Sequence, residues 1–450
     1  MSTQVIADPG DDLGAPEQDP KPVWNPFARI GFRFVVSYLT LFCVIYPQPI
    51  FAFLGIIARW LPDDAQLKMV TWPESPVHWV GRTVFDVDAT LRWDSGSGDQ
   101  TYLWVLCFCI LITAVLVTAV WSVLDRKRTE YRRVAAWFLL FLRFVLAGQM
   151  LGYGFAKLVP LQMGEPTLTT LLTPYGDLTH MAVLWNQVGA SPVYEMLLGA
   201  AEVLGGLLLL LPRTALAGVL LSLVSMAQVW VLNMTFDVPV KLLSFHLLLI
   251  SLVLLAPDAR RLFTVLSGHA TGPSTTPEVG RTPRGKRIVA ITGAVLAVWF
   301  VIANVAECWE GWHKWGPGQP KSELYGIWVV GEFTRDGQPV PPLLTDETRW
   351  QRVVFERPEM AFYQRMDGAL VPMLSDLDAG AHRITLKAPP EGTETLGSFT
   401  FERPSEDRLI LTGELDGHPV VLTLTATDLS KVPVRQGGLH LVQDYPRGVS

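Results

Sequence analysis

The chain has 450 residues, is 50% hydrophobic and only 17% charged, and carries a formal net charge of -6. That balance points to an integral membrane protein and gives no reason to expect a nucleic-acid partner. The four cysteines, Cys43, Cys107, Cys109 and Cys308, form no CxxC pair, so neither a metal centre nor a disulfide framework is expected. Cys107 and Cys109 fall on different faces of a helix and read as packing or lipid-facing residues.

Residues 1–30 are rich in Pro, Asp and Gly and lack the apolar core of a cleaved signal peptide. They are expected to form a disordered cytoplasmic tail. A membrane-crossing helix needs roughly 20 apolar residues, and the hydropathy pattern gives seven: 31–57, 102–124, 134–158, 193–212, 214–234, 239–257 and 288–306. The first contains Pro47-Gln48-Pro49, so 50–60 is expected to be interfacial or re-entrant. The first two spans and their outer loop form one unit, 31–133. In that loop, DSGSGDQT (Asp94 to Thr101) reads as a turn in which Asp99 or Thr101 caps the second span.

The connection DRKRTEYRR between spans two and three has five basic residues. The 258–287 connection has six, Arg260, Arg261, Arg281, Arg284, Lys286 and Arg287, whereas 159–194 has none. The bias of basic residues toward the inner face predicts a cytoplasmic N-terminus, seven crossings of the cell membrane and an extracytoplasmic C-terminal domain. The seventh span reads as an anchor, followed by a Gly/Pro/Trp linker at 307–320.

Ionisable residues interrupt spans three to six. A charge at membrane depth costs on the order of 2.5–3.5 kcal/mol on the insertion scale, so it usually has a partner or a function. Arg143 and Lys157 lie on one stripe of span three, about 21 Å apart along the axis. Glu195 and Glu202 share a face of span four with Gly199 and Gly206, small residues that let another helix approach closely. Tyr153, Lys157, Glu195, Glu202, Gln228, Asn233, Asp237, Lys241 and His246 all fall in the outer half of the bilayer or at its rim; Arg143 is the exception.

Such a cluster could form one outward-facing pocket for the polar head of a quinone or lipid. Lys157, Glu202 and His246 are then the catalytic candidates for proton transfer. Tyr153, Glu195, Gln228, Asn233, Asp237 and Lys241 are the candidates for substrate binding, and Arg143 for a structural pairing. The competing reading has the lysines reaching to the interface and Glu202 paired with Arg143 or a lysine as helix glue.

From residue 321 the pattern changes to short alternating runs such as YGIWVVGEFT, DRLILTGEL and PVVLTLTAT, separated by Asp336-Gly337, Asp367-Gly368 and Asp416-Gly417. Roughly eight strands fit into 321–450, an all-β barrel or sandwich. Gly326-Ile327-Trp328 resembles the G-x-W start of lipocalin-like barrels, and the resemblance implies a structural role for Trp328 as the plug of the closed end. The interior would hold a small apolar ligand or be filled by side chains.

Residues 134–257, with LRFVLAGQMLGYGFAKL and GAAEVLGGLLLLLPRTALAGVLLSL, resemble the DoxX family, Glu202 being the matched acid. The resemblance implies a four-helix membrane core and a link to quinone and sulfur redox metabolism, since the related subunit DoxD belongs to a thiosulfate:quinone oxidoreductase. The leading expectation is therefore a component of a quinone- or small-redox-substrate-linked membrane oxidoreductase system. A non-enzymatic lipid or small-molecule handling protein using the barrel, and a scaffold recruiting a soluble extracytoplasmic partner, are the alternatives.

Overall fold

The computed structural model describes residues 24–438, except 63–64, 66–67, 69, 275, 281 and 390–393. Most of the expected N-terminal tail, Arg281 and the end of the C-terminal domain lie outside the described residues. Among the described residues, seven helices are long and apolar enough to cross a membrane: Pro26–Ile45, Thr101–Leu124, Arg132–Leu158, Pro192–Leu210, Ala215–Thr235, Lys241–Leu266 and Pro283–Lys314. They are called spans one to seven below.

Several ends differ from those read in the sequence. Span one starts inside the expected tail, because Asn25 accepts a hydrogen bond from the Ala28 amide at 2.7 Å and Pro26 opens the first turn. Span six continues through Pro257 to Leu266, so the connection to span seven starts later than residue 258. Span seven runs on to Lys314, well past residue 306. No helix breaker intervenes before Gly316-Pro317, and Lys314 pairs with Glu310 one turn back.

After span one the chain forms a second short helix, Pro47–Leu54, packed on span three, and then a 3₁₀ segment, Gly55–Trp60. Gly55 takes φ +51°, and a Cβ there would stand 2.9 Å from Trp299 Nε1, so glycine is required twice over. Trp299 Nε1 donates to the Phe53 carbonyl at 3.1 Å. Irregular backbone at such a place is tolerated when protein groups satisfy it.

Span four lies against span three along its glycine face. A Cβ on Gly199 would fall 2.3 Å from the Leu158 nitrogen, and one on Gly206 would fall 2.8 Å from Leu151 Cγ. The two backbones therefore touch, as the spacing of these glycines predicts. Span seven also packs on this pair: a Cβ on Gly293 would meet the Leu210 carbonyl oxygen at 2.2 Å, and Phe300 is buried against span three.

The Asp94–Gln100 loop is a cap, but for a different helix than expected. Asp99 accepts hydrogen bonds from the amides of Lys241 and Leu242 at 2.7 and 2.9 Å. It thus satisfies the free N–H groups at the start of span six rather than those of span two, whose own N-terminus receives no side-chain cap. Gly98 joins in by donating to the Pro239 carbonyl.

The C-terminal domain is an antiparallel barrel: β1 (Gly326–Arg335), β2 (Gln338–Pro339), β3 (Trp350–Arg357), β4 (Met360–Arg365), β5 (Leu370–Asp378), β6 (Arg383–Lys387), β7 (Thr395–Ser405), β8 (Arg408–Leu415) and β9 (His418–Ala426). Apart from the two-residue β2, each strand pairs with its neighbours in sequence, and β1 pairs with β9 to close eight strands without an open edge. Asp336-Gly337 and Asp416-Gly417 both take positive φ, the geometry of tight hairpin turns. Side chains fill the interior, among them Trp328, Phe333, Phe355, Phe399 and Leu422, each no more than 2% exposed. Trp328 donates through Nε1 to the Leu324 carbonyl at 2.8 Å, and the Arg403 guanidinium lies 5.8 Å from its ring centroid. Asp346 accepts from the Thr348 and Arg349 amides, and these bonds hold its carboxyl below the ordinary value of 3.8.

The barrel rests on the loop between spans three and four. Leu168 is buried with Ile327 of β1 and Val354 of β3, and its amide donates to Glu356 Oε1 at 2.9 Å.

Candidate functional site

Lys157 and Glu202 come together. The Lys157 ammonium donates to both Glu202 oxygens, at 3.0 and 2.8 Å, and both side chains are almost fully buried. The glycine contact between spans three and four makes this possible, since it brings the two backbones close enough for the side chains to reach across. Of the partners the sequence left open for Glu202, the structure selects the lysine. Arg143 lies elsewhere, with its guanidinium carbon 5.5 Å from the Phe144 ring. Its Nε and Nη2 have no hydrogen-bond partner, and the carboxylate that acts on its charge is Glu278 rather than Glu202.

The ion pair lines a cavity of about 130 Å³ enclosed by spans three to six. Tyr153, Gln228 and Asn233 line it as well, and the Lys157 ammonium stands 5.7 Å from the Tyr153 ring centroid. Asn233 donates to Ser244 Oγ at 3.0 Å. The other walls are apolar, including Met226, Leu232, Leu243 and Leu247. Two opposite charges thus face a small, mainly apolar space. In so poorly polarisable a setting each charge depends on the other, and removing one alone is strongly destabilising.

The remaining four candidates lie outside this lining, each for a visible reason. Glu195 is fully buried but turned to the chain: it accepts from the Met163 and Gly164 amides at 2.9 and 3.2 Å. Asp237 and Lys241 pair with each other at 2.8 Å, one turn apart at the start of span six. Asp237 is highly exposed, and the Lys241 ammonium beside it holds its carboxyl below the ordinary value. His246 faces span one, with Nε2 2.7 Å from the Tyr38 hydroxyl, Nδ1 2.7 Å from the Leu242 carbonyl, and its ring stacked on Phe42 at 3.8 Å. With both ring nitrogens occupied and its face covered, His246 is a packing residue between spans one and six.

The sequence reading missed the roof of the cavity. Gln162 and Met163 from the loop after span three, and Leu184, Trp185 and Val188 from a short helix, His180–Gly189, close it. Trp185 Nε1 donates to the Gln162 carbonyl at 3.0 Å. A signal for this helix exists: Thr179 precedes it and accepts from the Ala182 amide, and Leu184 and Val188 recur four residues apart. Glu195 therefore contributes to the cavity indirectly, by fixing the Met163–Gly164 backbone above it.

Fold and site together define a multi-pass helical membrane protein with a polar, cavity-bearing bundle and a C-terminal closed β-barrel. The chain is 34% identical over 135 residues to the uncharacterized protein YwoB of Bacillus subtilis (strain 168), an alignment covering 30% of this chain and 83% of YwoB. The chain belongs to the family of YwoB. No family model matches the chain, and no solved structure matches it.

Proposed function

We propose that the protein is the membrane component of a quinone- or small-redox-substrate-linked oxidoreductase system, and that the cavity of spans three to six receives the ring of that substrate. The observation that carries this reading is the Lys157–Glu202 pair facing a mainly apolar cavity of about 130 Å³. A cavity on the order of 150 Å³ accommodates a benzene ring, so the space suits one six-membered ring. The resemblance of residues 134–257 to the DoxX family points the same way.

Reduction of a quinone to a quinol takes two electrons and two protons. The Lys157 ammonium donates one proton to a carbonyl oxygen of the ring and is left as the amine; the second carbonyl oxygen and the amine take their protons from water at the loop side of the cavity, Glu202 accepting one and passing it to the amine. Tyr153 and Asn233 orient the ring edge, and the apolar walls exclude water. The electrons come from a redox partner, a soluble protein docking on the barrel side. In this reading the N-terminus is cytoplasmic and the barrel extracytoplasmic in the cell membrane, an orientation supported by the basic connections on the side opposite the barrel. Lipid handling inside the barrel is the weaker alternative, because side chains occupy its interior.

The test uses the full chain in detergent and a short-tailed ubiquinone. Replacing both charges, Lys157→Met with Glu202→Leu, should leave the melting temperature near that of the parent, since exchanging a buried ion pair for apolar residues is often neutral or stabilising. Glu202→Ala alone should cost about 3–5 kcal/mol by stranding Lys157. Quinone binding by the parent and a loss of roughly tenfold or more in the stable double variant is the expected result, worth about 1.4 kcal/mol. Unchanged affinity in that variant, or no saturable binding by the parent, would overturn the proposal.

A further inference from the structure

A second, larger cavity of about 430 Å³ lies on the other side of Tyr153, between the short helix Pro47–Leu54, span three and span seven. Its floor on span three carries Gly148, Gly152 and Ala156, one turn apart. Small residues at such spacing usually seat a neighbouring helix. Gly148 does so, a Cβ there meeting Ala52 Cβ at 3.2 Å, but a Cβ on Gly152 would meet only Asn304 Oδ1, at 3.9 Å, so the stripe borders open space at Gly152.

Two polar atoms in this groove, Gln149 Oε1 and the Tyr153 hydroxyl oxygen, have no protein hydrogen-bond partner among the described residues. Gln149 is only 6% exposed, and its single hydrogen bond is a long one, 3.3 Å from Nε2 to the Gln48 carbonyl. Its Oε1 accepts nothing. The Tyr153 hydroxyl, on the lining of both cavities, makes no hydrogen bond either. Polar groups inside a protein are normally satisfied; the buried Gln149 amide oxygen and the half-buried Tyr153 hydroxyl, both reachable from one groove, point to a ligand that satisfies them. Asn304 adds a further amide oxygen, and Glu307 lines the groove too.

We propose that this groove is a lipid site for an uncharged, hydroxyl- and ester-bearing head, that of a diacylglycerol-type lipid. Gln149 lies eight residues along span three from Lys157, about 12 Å nearer the bilayer centre. A charged headgroup drawn to that depth loses its hydration without a matching countercharge from Gln149 or Tyr153. Hydroxyl and ester oxygens match what these two offer: the Gln149 amide oxygen accepts from a lipid hydroxyl, and the Tyr153 phenol donates to an ester oxygen. Phe51 and Ile56 give the start of the acyl chains an apolar wall. The break of 47–60 into a short helix and a 3₁₀ segment fits the assignment, because irregular backbone at membrane depth occurs where it lines a cavity or is covered by protein. The site shares only Tyr153 with the neighbouring cavity, and its test involves no quinone.

The intact protein in phosphatidylcholine nanodiscs, doped with a diazirine-bearing diacylglycerol, tests the proposal. Photolysis should label peptides from 47–58, 148–156 and 300–307. Gly152→Leu, which fills the groove, and Gln149→Leu, which removes the amide, should each lower that labelling roughly fivefold or more. A phosphatidylglycerol probe with the diazirine at the same chain position should label lipid-facing surfaces without concentrating there. Should Gly152→Leu fail to fold, Gln149→Leu decides alone. Labelling equal to the parent in Gln149→Leu, labelling spread evenly over the spans, or equal capture of the anionic probe would each overturn the proposal.

Discussion

The bundle and the barrel both bury cationic side chains, and they treat them differently. In the barrel, Arg349 is 3% exposed and donates to the backbone carbonyls of Val340 and Gly331 at 2.8 and 3.0 Å. It ties strand ends together in a packed, apolar interior. In the bundle, Lys157 meets a carboxylate from another span, and the pair borders empty space. A buried charge whose guanidinium ends are held by backbone carbonyls is a structural device; one bordering a cavity is available to a ligand. The contrast assigns ligand chemistry to the bundle and a holding role to the barrel.

The largest expected effect tests that division from the barrel side. Trp328→Ala removes a side chain 1% exposed at the start of β1 and should cost the barrel about 3–5 kcal/mol. Hydrogen exchange across 326–426 should accelerate strongly, while short-tailed ubiquinone still binds the bundle with an affinity within about threefold of the parent's, under 1 kcal/mol. A collapse of both together would show that the two parts are one cooperative unit. Gly199→Leu attacks the other side. Overpacking usually costs about 1–3 kcal/mol, and here the new side chain faces backbone that cannot give way. Spans three and four should separate, lowering both the melting temperature and quinone affinity. Gly176→Ala, with nothing within 4 Å of its Cβ, should do neither.

The features legible in the sequence were those with a local cause. Apolar length gave seven spans, the face shared by Gly199, Glu202 and Gly206 gave a close helix contact on span four, though not its partner, and Asp-Gly turns gave the barrel hairpins. What stayed hidden depends on where a face points after assembly. Glu195 and Glu202 share a helix face, yet one meets the Met163–Gly164 backbone and the other meets Lys157. His246 is at a suitable depth but turns toward Tyr38 and Phe42. Asp99 serves a helix 142 positions further along. No periodicity within one segment contains these choices. The roof was missed for a related reason: the chain from Gln162 to Val188 has no charge pattern to mark it, and its place over the cavity is set by Glu195 and by the barrel.

The smallest effect lies where the two regions touch. Glu356 on β3 accepts the Leu168 amide, and the same loop, a few residues earlier, supplies Gln162 and Met163 to the cavity roof. If the barrel holds the roof in place, Glu356→Ala should leave the Leu168 amide unpaired at a cost of about 1 kcal/mol. Part of that loss should appear as faster hydrogen exchange at Leu168 and a fall of roughly twofold to fivefold in quinone affinity. Glu356→Gln keeps a carbonyl oxygen at the same reach and should restore both readouts. Faster exchange at Leu168 with unchanged affinity would confine the barrel to anchoring the loop. Rescue of both by glutamine would show that the barrel acts on the cavity through this one acceptor, making the division between a ligand-binding bundle and a holding barrel one of roles rather than of independent parts.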